Sequence, residues 1–101
     1  MGNEMQDVEN FLAGKTDEVE RVVFSTAAEY MIHYFQCKKE GRRFVMKEIS
    51  AAIAEREGVK PESINKRILD CSIAIFGKEG RPAPKRCIVR LAREYNNAKE
   101  K

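Results

Sequence analysis

"AEREGVKPESINKRI", residues 54–68, joins two amphipathic patterns through a glycine and a proline. Gly58 suits a left-handed turn that ends one helix. Pro61 suits the first turn of the next helix, where its missing N–H is not needed. Ile64 and Ile68 then recur at helical spacing. The stretch therefore predicts two helices joined by a tight turn.

The spacing of a few small and branched residues indicates a helix-turn-helix. Ala54 is small enough for two helices to cross closely, and Gly58 follows four positions later at the turn. Ile64 lies six positions after the glycine, where it can hold the second helix against the first. Val59 and Ile68 are expected to add core contacts. A plain αα-hairpin with charged outer faces is the alternative, because any tight helical hairpin needs such residues.

Over residues 49–68 the sequence resembles the helix-turn-helix DNA-binding proteins. The motif is similar to that of the lambdoid Cro repressors, whose second helix also reads glycine-valine and then isoleucine-asparagine-lysine. Glu57 stands where that family usually has an apolar residue. Over residues 45–95 the chain loosely resembles the effector domain of the sporulation-initiation response regulators, with "RPAPKRCIVRLAREY" matching a lysine-proline loop and final helix. Both resemblances imply a helical domain that binds DNA.

The resemblance also implies which residues touch DNA, because the exposed N-terminal half of the second helix enters the major groove in this class. The expected base contacts are Glu62, Ser63, Asn65, Lys66 and Arg67. Asn65 would pair with adenine, and Lys66 or Arg67 with guanine. Glu62 would accept from cytosine N4, and Ser63 would reach a base edge or a phosphate. Basic residues around the hairpin and the following loop are expected to hold phosphates: Arg42, Arg43, Lys47, Lys60, Arg81, Lys85 and Arg86.

Helical periodicity elsewhere predicts an all-α protein, a compact bundle of four to five helices that contains the helix-turn-helix. The expected helices cover about residues 5–13, 17–39, 45–56, 61–76 and 84–98. Thr16 is the expected N-cap of the second helix, with Asp17, Glu18 and Glu20 in its first turn.

The helix over 61–76 carries apolar residues on two opposite faces in its second half. Besides the isoleucine face it has Leu69, Ile73 and Phe76, which predicts burial nearly all round, by the last helix or by a second subunit.

A chain of 101 residues suits one small domain. We expect residues 1–15 to be an acidic segment, either a short helix or flexible, residues 16–98 to be a single helical DNA-binding domain, and residues 99–101 to be a frayed tail. Residues 1–20 carry six acidic residues and one basic residue, whereas residues 21–101 carry 18 basic and 10 acidic residues. A basic body suits a polyanionic partner, and the acidic segment could lie against it and weaken non-specific binding.

Other functions find little support in the sequence. Cys37, Cys71 and Cys87 are widely spaced in apolar runs, which predicts free core cysteines and a reducing, cytoplasmic location. His33 has no second ligand type at metal spacing, so no metal or cofactor is expected. No catalytic constellation, small-molecule motif or membrane span is evident, and the sequence predicts a protein that is not an enzyme.

The sequence as a whole predicts sequence-specific binding of double-stranded DNA by a small transcriptional regulator, acting as a homodimer. The alternative is a helical protein–protein interaction module without DNA binding, such as an adaptor or inhibitor of the kind that phages encode. One geometric feature would separate the two. For DNA binding, the exposed cluster 65–67 must lie on the same side as the basic residues Arg42, Arg43 and Lys47.

Overall fold

The computed structural model describes residues 4–99, and within them the chain forms helices and no strand. The five helices are α1 (Glu4–Ala13), α2 (Arg21–Glu40), α3 (Met46–Glu57), α4 (Pro61–Phe76) and α5 (Pro84–Lys99). The prediction of an all-α bundle of four to five helices is confirmed. The expected frayed tail lies outside the described residues, except for Lys99, which is the last residue of α5.

Two glycines end helices as their positions in the sequence predict. Gly58 adopts φ +71° after α3, and the N–H groups of Gly58 and Val59 donate to the carbonyls of Glu55 and Ala54 at 3.3 and 3.0 Å. Gly41 closes α2 in the same way, with φ +69°. Each pair of bonds satisfies carbonyls that the helix end would otherwise leave without a partner.

The start of α2 differs from the prediction. The helix begins at Arg21 instead of residue 17, and Glu20 is the N-cap, with no side-chain hydrogen bond to the helix. The Thr16 hydroxyl instead accepts the N–H of Glu18 at 3.2 Å, in a local turn before the helix. Threonine forms such turns readily, and the turn competes with helix initiation. The acidic residues expected in the first turn therefore precede the helix.

Helix α2 is the centre of the bundle, and each of the other four helices packs on it. Its fully buried residues are Ala27, Ala28, Tyr30 and Met31. Helix α1 contributes Val8 and Leu12, which are also fully buried. Helix α5 contributes five buried residues, namely Cys87, Ile88, Leu91, Ala92 and Tyr95.

The hairpin of α3 and α4 has the core contacts that its spacing predicts. Ala54 is 2% exposed, and Ile64 and Ile68 are fully buried. Val59 lies in the turn between the two helices and is 39% exposed, so the expectation that it adds core contacts is wrong. Its backbone N–H, not its side chain, serves the turn.

The second half of α4 is less buried than its two apolar faces predict. On the isoleucine face Ile68 and Cys71 are fully buried, but Ile75 is only half-buried, as are Leu69, Ile73 and Phe76. The guanidinium of Arg90 covers the ring of Phe76 at 4.6 Å from its centroid. One side of this half of α4 therefore remains partly open to solvent. All three cysteines are buried and free.

The first prediction concerns the turn between α3 and α4. A Cβ atom added at Gly58 meets nothing within 4 Å, so only the left-handed backbone opposes substitution. We expect Gly58→Ala to lower the free energy of unfolding by about 1 kcal/mol, measured by urea denaturation. Gly58→Asn should cost less, because asparagine tolerates this conformation better despite its larger side chain. An asparagine variant less stable than the alanine variant would contradict this explanation.

Candidate nucleic-acid interface

The N-terminal ends of α3, α4 and α5 meet around one open groove of about 750 Å³. We call it the N-terminal groove. Its apolar wall includes the helix-starting residues Met46, Pro61 and Pro84. Its charged and polar residues are Arg43, Lys47, Ser50, Glu62, Asn65 and Lys85.

Helix ends and side chains together make this groove favourable to anions. The N-caps of α3 and α4 are Val45 and Lys60, and neither makes a side-chain hydrogen bond to its helix. The first N–H groups of these helices therefore carry positive partial charge without an acidic cap. Arg43, Lys47 and Lys85 add three positive charges, against one negative charge from Glu62.

A second groove, of about 590 Å³, runs between α4 and the chain around the start of α2. We call it the α2–α4 groove. Ser63, Lys66 and Arg67 line it from α4, together with the half-buried Ile73. The opposite wall carries the residues Glu18, Val19, Glu20, Val22 and Val23. Acidic side chains and an apolar floor therefore face this flank of α4.

The five residues expected to contact bases are thus divided between two flanks of one helix, and of the cluster 65–67 only Asn65 lies on the side of Arg43 and Lys47. Glu62 and Asn65 lie in the N-terminal groove with Arg43, Lys47 and Lys85. Ser63, Lys66 and Arg67 lie in the α2–α4 groove. Lys66 is nevertheless well exposed, with 76% of its side chain accessible and its amine 3.9 Å from the carboxylate of Asp70.

Arg67 is held inside the protein framework. Its guanidinium donates to both carboxylate oxygens of Glu57, at 2.9 and 3.1 Å, and to the Thr26 hydroxyl at 3.1 Å. Only 20% of its side chain is exposed. Arg67 would have to leave these partners to reach a base. The same bonds give Glu57 its structural role, because an ion pair with α4 takes the place of the apolar contact usual in the resembling family.

Asn65 is connected to the core through two hydroxyl groups. The Ser50 hydroxyl donates to Asn65 Oδ1 at 2.7 Å. Ser50 also shares a hydrogen bond with the fully buried hydroxyl of Tyr30. These two hydrogen bonds link α2, α3 and α4 through three side chains, the last of which, Asn65, lies in the N-terminal groove.

The residues expected to hold phosphates differ in their surroundings. Arg43, Lys47 and Lys85 line the N-terminal groove, whereas Lys60 and Arg86 are exposed outside both grooves. The guanidinium of Arg42 lies 2.6 Å from the Glu40 carboxylate, and Arg81 donates to the Lys78 carbonyl at 2.9 Å. Two of the seven are therefore already paired within the chain.

Sequence reasoning missed several residues of this region. Tyr30 is a core residue, but nothing in its spacing shows that its hydroxyl reaches Ser50. Ser50 carries no distinctive signal in the sequence. Glu57 did carry a signal, since it is a charged residue at a position where the helix-turn-helix pattern favours an apolar one.

The described part of the chain offers no evident metal centre, since no three side chains among His, Cys, Asp and Glu converge within residues 4–99. Every helix in this range is also too short or too polar to span a lipid bilayer. Comparison with protein-family models, curated proteins and solved structures finds no match. The geometry of the grooves therefore carries the functional argument.

The second prediction concerns the pair of Glu57 and Arg67. The guanidinium of Arg67 holds the pKa of Glu57 below its ordinary value of 4.5. Glu57→Gln should lower the free energy of unfolding by about 0.5–1 kcal/mol at pH 7, as expected for a partly exposed pair. A lowered carboxyl pKa stabilises the fold above the unfolded pKa, and this stabilisation is lost as the pH falls through the folded pKa. The difference should therefore disappear in acid.

Denaturant titrations of wild type and variant between pH 7 and pH 2 measure this difference. Glu55→Gln is the matched control, because Glu55 lies in the same last turn of α3, is exposed and has no ion pair within residues 4–99. A loss of stability in Glu57→Gln that stays constant down to pH 2 would disprove the ionic origin.

Proposed function

We propose that this protein binds double-stranded DNA in a sequence-specific manner through a helix-turn-helix formed by α3 and α4, as a small transcriptional regulator. The observation that carries the proposal is the N-terminal groove. Three helix N-termini and the side chains of Arg43, Lys47 and Lys85 surround it, and the exposed residue Asn65 of α4 lies within it.

The proposed docking follows from the dimensions of the helix and of DNA. An α-helix with its side chains is about 10–12 Å across, and the major groove of B-DNA is about 12 Å wide. The first half of α4 is exposed apart from Ile64, Ile68 and, in part, Arg67. In this proposal Glu62, Ser63, Asn65 and Lys66 meet base edges, and Arg67 keeps its structural role.

The phosphate contacts in this proposal come mainly from the N-terminal groove. Arg43, Lys47 and Lys85 bind the backbone beside α4, supported by the free N–H groups at the start of α3. Lys60 and Arg86 extend this surface, and Arg42 and Arg81 join it if they exchange their present partners for phosphate. Binding to DNA also implies a cytoplasmic location, where the buried cysteines stay reduced.

The α2–α4 groove supports a homodimer as part of this proposal, and also the alternative of a protein–protein module. Val22 is 40% exposed, and with Val19, Ile73 and Ala74 it offers apolar surface that a partner could cover. Helix-turn-helix modules of this size commonly bind symmetric sites as dimers. An adaptor or inhibitor would use the same surface for a different protein.

The third prediction tests DNA binding directly. The protein should enrich specific fragments from genomic DNA, and affinity for the best fragment should fall with salt. Each phosphate contact contributes about −0.9 to the log–log slope. Arg43→Ala should weaken binding to all sequences alike and make the slope shallower by about 0.9. Lys66→Ala and Asn65→Ala should mainly relax base preference.

Lys38→Ala is the charge-matched control for Arg43→Ala. Lys38 is exposed near the end of α2, and its amine lies 6.0 Å from the ring centroid of Tyr34, away from both grooves. The Lys38→Ala variant should leave both the base preference and the log–log salt slope nearly unchanged. Enrichment of no fragment, together with specific capture of a protein partner, would replace the proposal with the adaptor function.

The fourth prediction concerns the acidic wall of the α2–α4 groove. Glu18 and Glu20 line this groove opposite Lys66, so they should repel phosphates that approach this flank of α4. Removal of both charges should tighten binding to random DNA at low salt and have little effect at high salt, where screening is strong. The variant is Glu18→Gln with Glu20→Gln, assayed by fluorescence anisotropy.

The matched control removes two charges from α1, by Glu4→Gln with Asp7→Asn, because neither residue lines the α2–α4 groove. Substitution is preferable to deletion of residues 1–15, since Val8 and Leu12 are part of the core. Equal tightening in both double variants would show that net charge alone is responsible, not the position of the two glutamates.

A further inference from the structure

The hydroxyl of Tyr30 is a buried group with a single hydrogen-bond partner. Tyr30 is fully buried, and within residues 4–99 its hydroxyl bonds only to the hydroxyl of Ser50. Burial raises the pKa of Tyr30, so the hydroxyl keeps its proton. A buried O–H without an acceptor costs free energy, and Ser50 is therefore the group to which Tyr30 must donate.

This requirement sets the direction of the whole chain of hydrogen bonds. Ser50 has one proton, and its oxygen already accepts from Tyr30, so that proton is available for Asn65. The Ser50 hydroxyl donates to Asn65 Oδ1 at 2.7 Å. The reverse direction would have the Asn65 amide donate to Ser50 and Ser50 donate to Tyr30. It would leave the buried Tyr30 proton without an acceptor. If Ser50 accepted from both Tyr30 and Asn65, its own buried proton would in turn have no acceptor among the side chains of residues 4–99.

The direction decides which end of the Asn65 amide is free. An asparagine side chain can turn by 180° and exchange its oxygen and nitrogen, and the two ends have opposite hydrogen-bonding character. Here Oδ1 is held by Ser50, and Nδ2 has no hydrogen-bond partner within residues 4–99. Because Asn65 lines the N-terminal groove, its two N–H donors are the groups available to a ligand there.

We propose that Ser50 is a positioning residue whose hydroxyl holds the Asn65 amide as a hydrogen-bond donor in the N-terminal groove. Asn65 then selects bases that offer an acceptor in the major groove, such as guanine O6 or N7 or thymine O4, and discriminates against the amino group of cytosine. This inference rests on the proposed DNA binding. It adds that the buried hydroxyl of Ser50 in α3 controls base choice on the surface of α4.

The fifth prediction uses the double variant Tyr30→Phe with Ser50→Ala, which removes both buried hydroxyl groups and leaves neither without a partner. The Asn65 amide then has no hydrogen bond to Ser50, so it populates both orientations. With half of the molecules competent, affinity for the preferred operator should fall only about twofold. Discrimination at the position read by Asn65, about 5-fold to 150-fold for a good base contact, should approach unity. The salt slope should not change.

Binding of the wild type and of each variant to operators substituted at every position measures these effects. Asn65→Ala identifies the operator position concerned. Tyr30→Phe alone is the matched control, since the buried Ser50 proton still has Asn65 Oδ1 as its acceptor. It should leave base preference unchanged. Full discrimination in the double variant, in a wild type that binds specifically, would overturn the inference and leave the proposed function standing.

A separate experiment without DNA tests the direction of the hydrogen bonds from Tyr30 through Ser50 to Asn65. In ¹⁵N-labelled wild-type protein both Asn65 Nδ2 protons should exchange rapidly with water, while the hydroxyl protons of Tyr30 and Ser50 are protected. Protection of one Nδ2 proton by the Ser50 oxygen would show the reverse direction and overturn the inference. Failure to bind any DNA, with the protection pattern as expected, would instead count against the proposed function.

Discussion

The packing of every other helix against α2 is the constraint on which the rest of this structure depends. Ala27 and Ala28 are fully buried on α2, and their small side chains allow neighbouring helices to approach closely. Tyr30 and Met31 follow on the next part of the same face. Helices α3, α4 and α5 all pack against α2, and the N-terminal groove lies where their N-terminal ends meet.

Local signals were enough for much of the fold. The bounds of α4 match the expected residues 61–76, because Pro61 begins the helix and Gly77 follows its last residue, so both ends have strong local signals. The start of α2 was misplaced because the acidic residues at 17–20 favour a helix start electrostatically. Residues 16–18 instead form the turn made by Thr16, and the helix begins at Arg21. Val59 was expected in the core only because it is apolar. It lies in the turn between two helices, where helical spacing does not determine whether a side chain is buried.

The candidate site was less predictable, because it depends on long side chains whose partners come from other helices. The helical spacing of residues 62–67 shows that they are mostly exposed, but not which groove each one enters. Arg67 is the clearest case. Its partners Glu57 and Thr26 are 10 and 41 residues away along the chain, so only the packing of α2, α3 and α4 brings the three together. A pattern of residue types along one helix carries no information about that packing.

The ion pair between Glu57 and Arg67 has a consequence for how this sequence could change over time. An apolar residue at 57 would improve the contact typical of such hairpins, but it would leave the half-buried guanidinium with Thr26 alone. An apolar residue at 67 would likewise leave the Glu57 carboxylate without its ion-pair partner. Each single exchange carries a cost that the paired exchange avoids, so the effects of the two substitutions are non-additive. Positions 57 and 67 are therefore expected to change together during evolution, because a protein with only one of the two substitutions is less stable than either paired form.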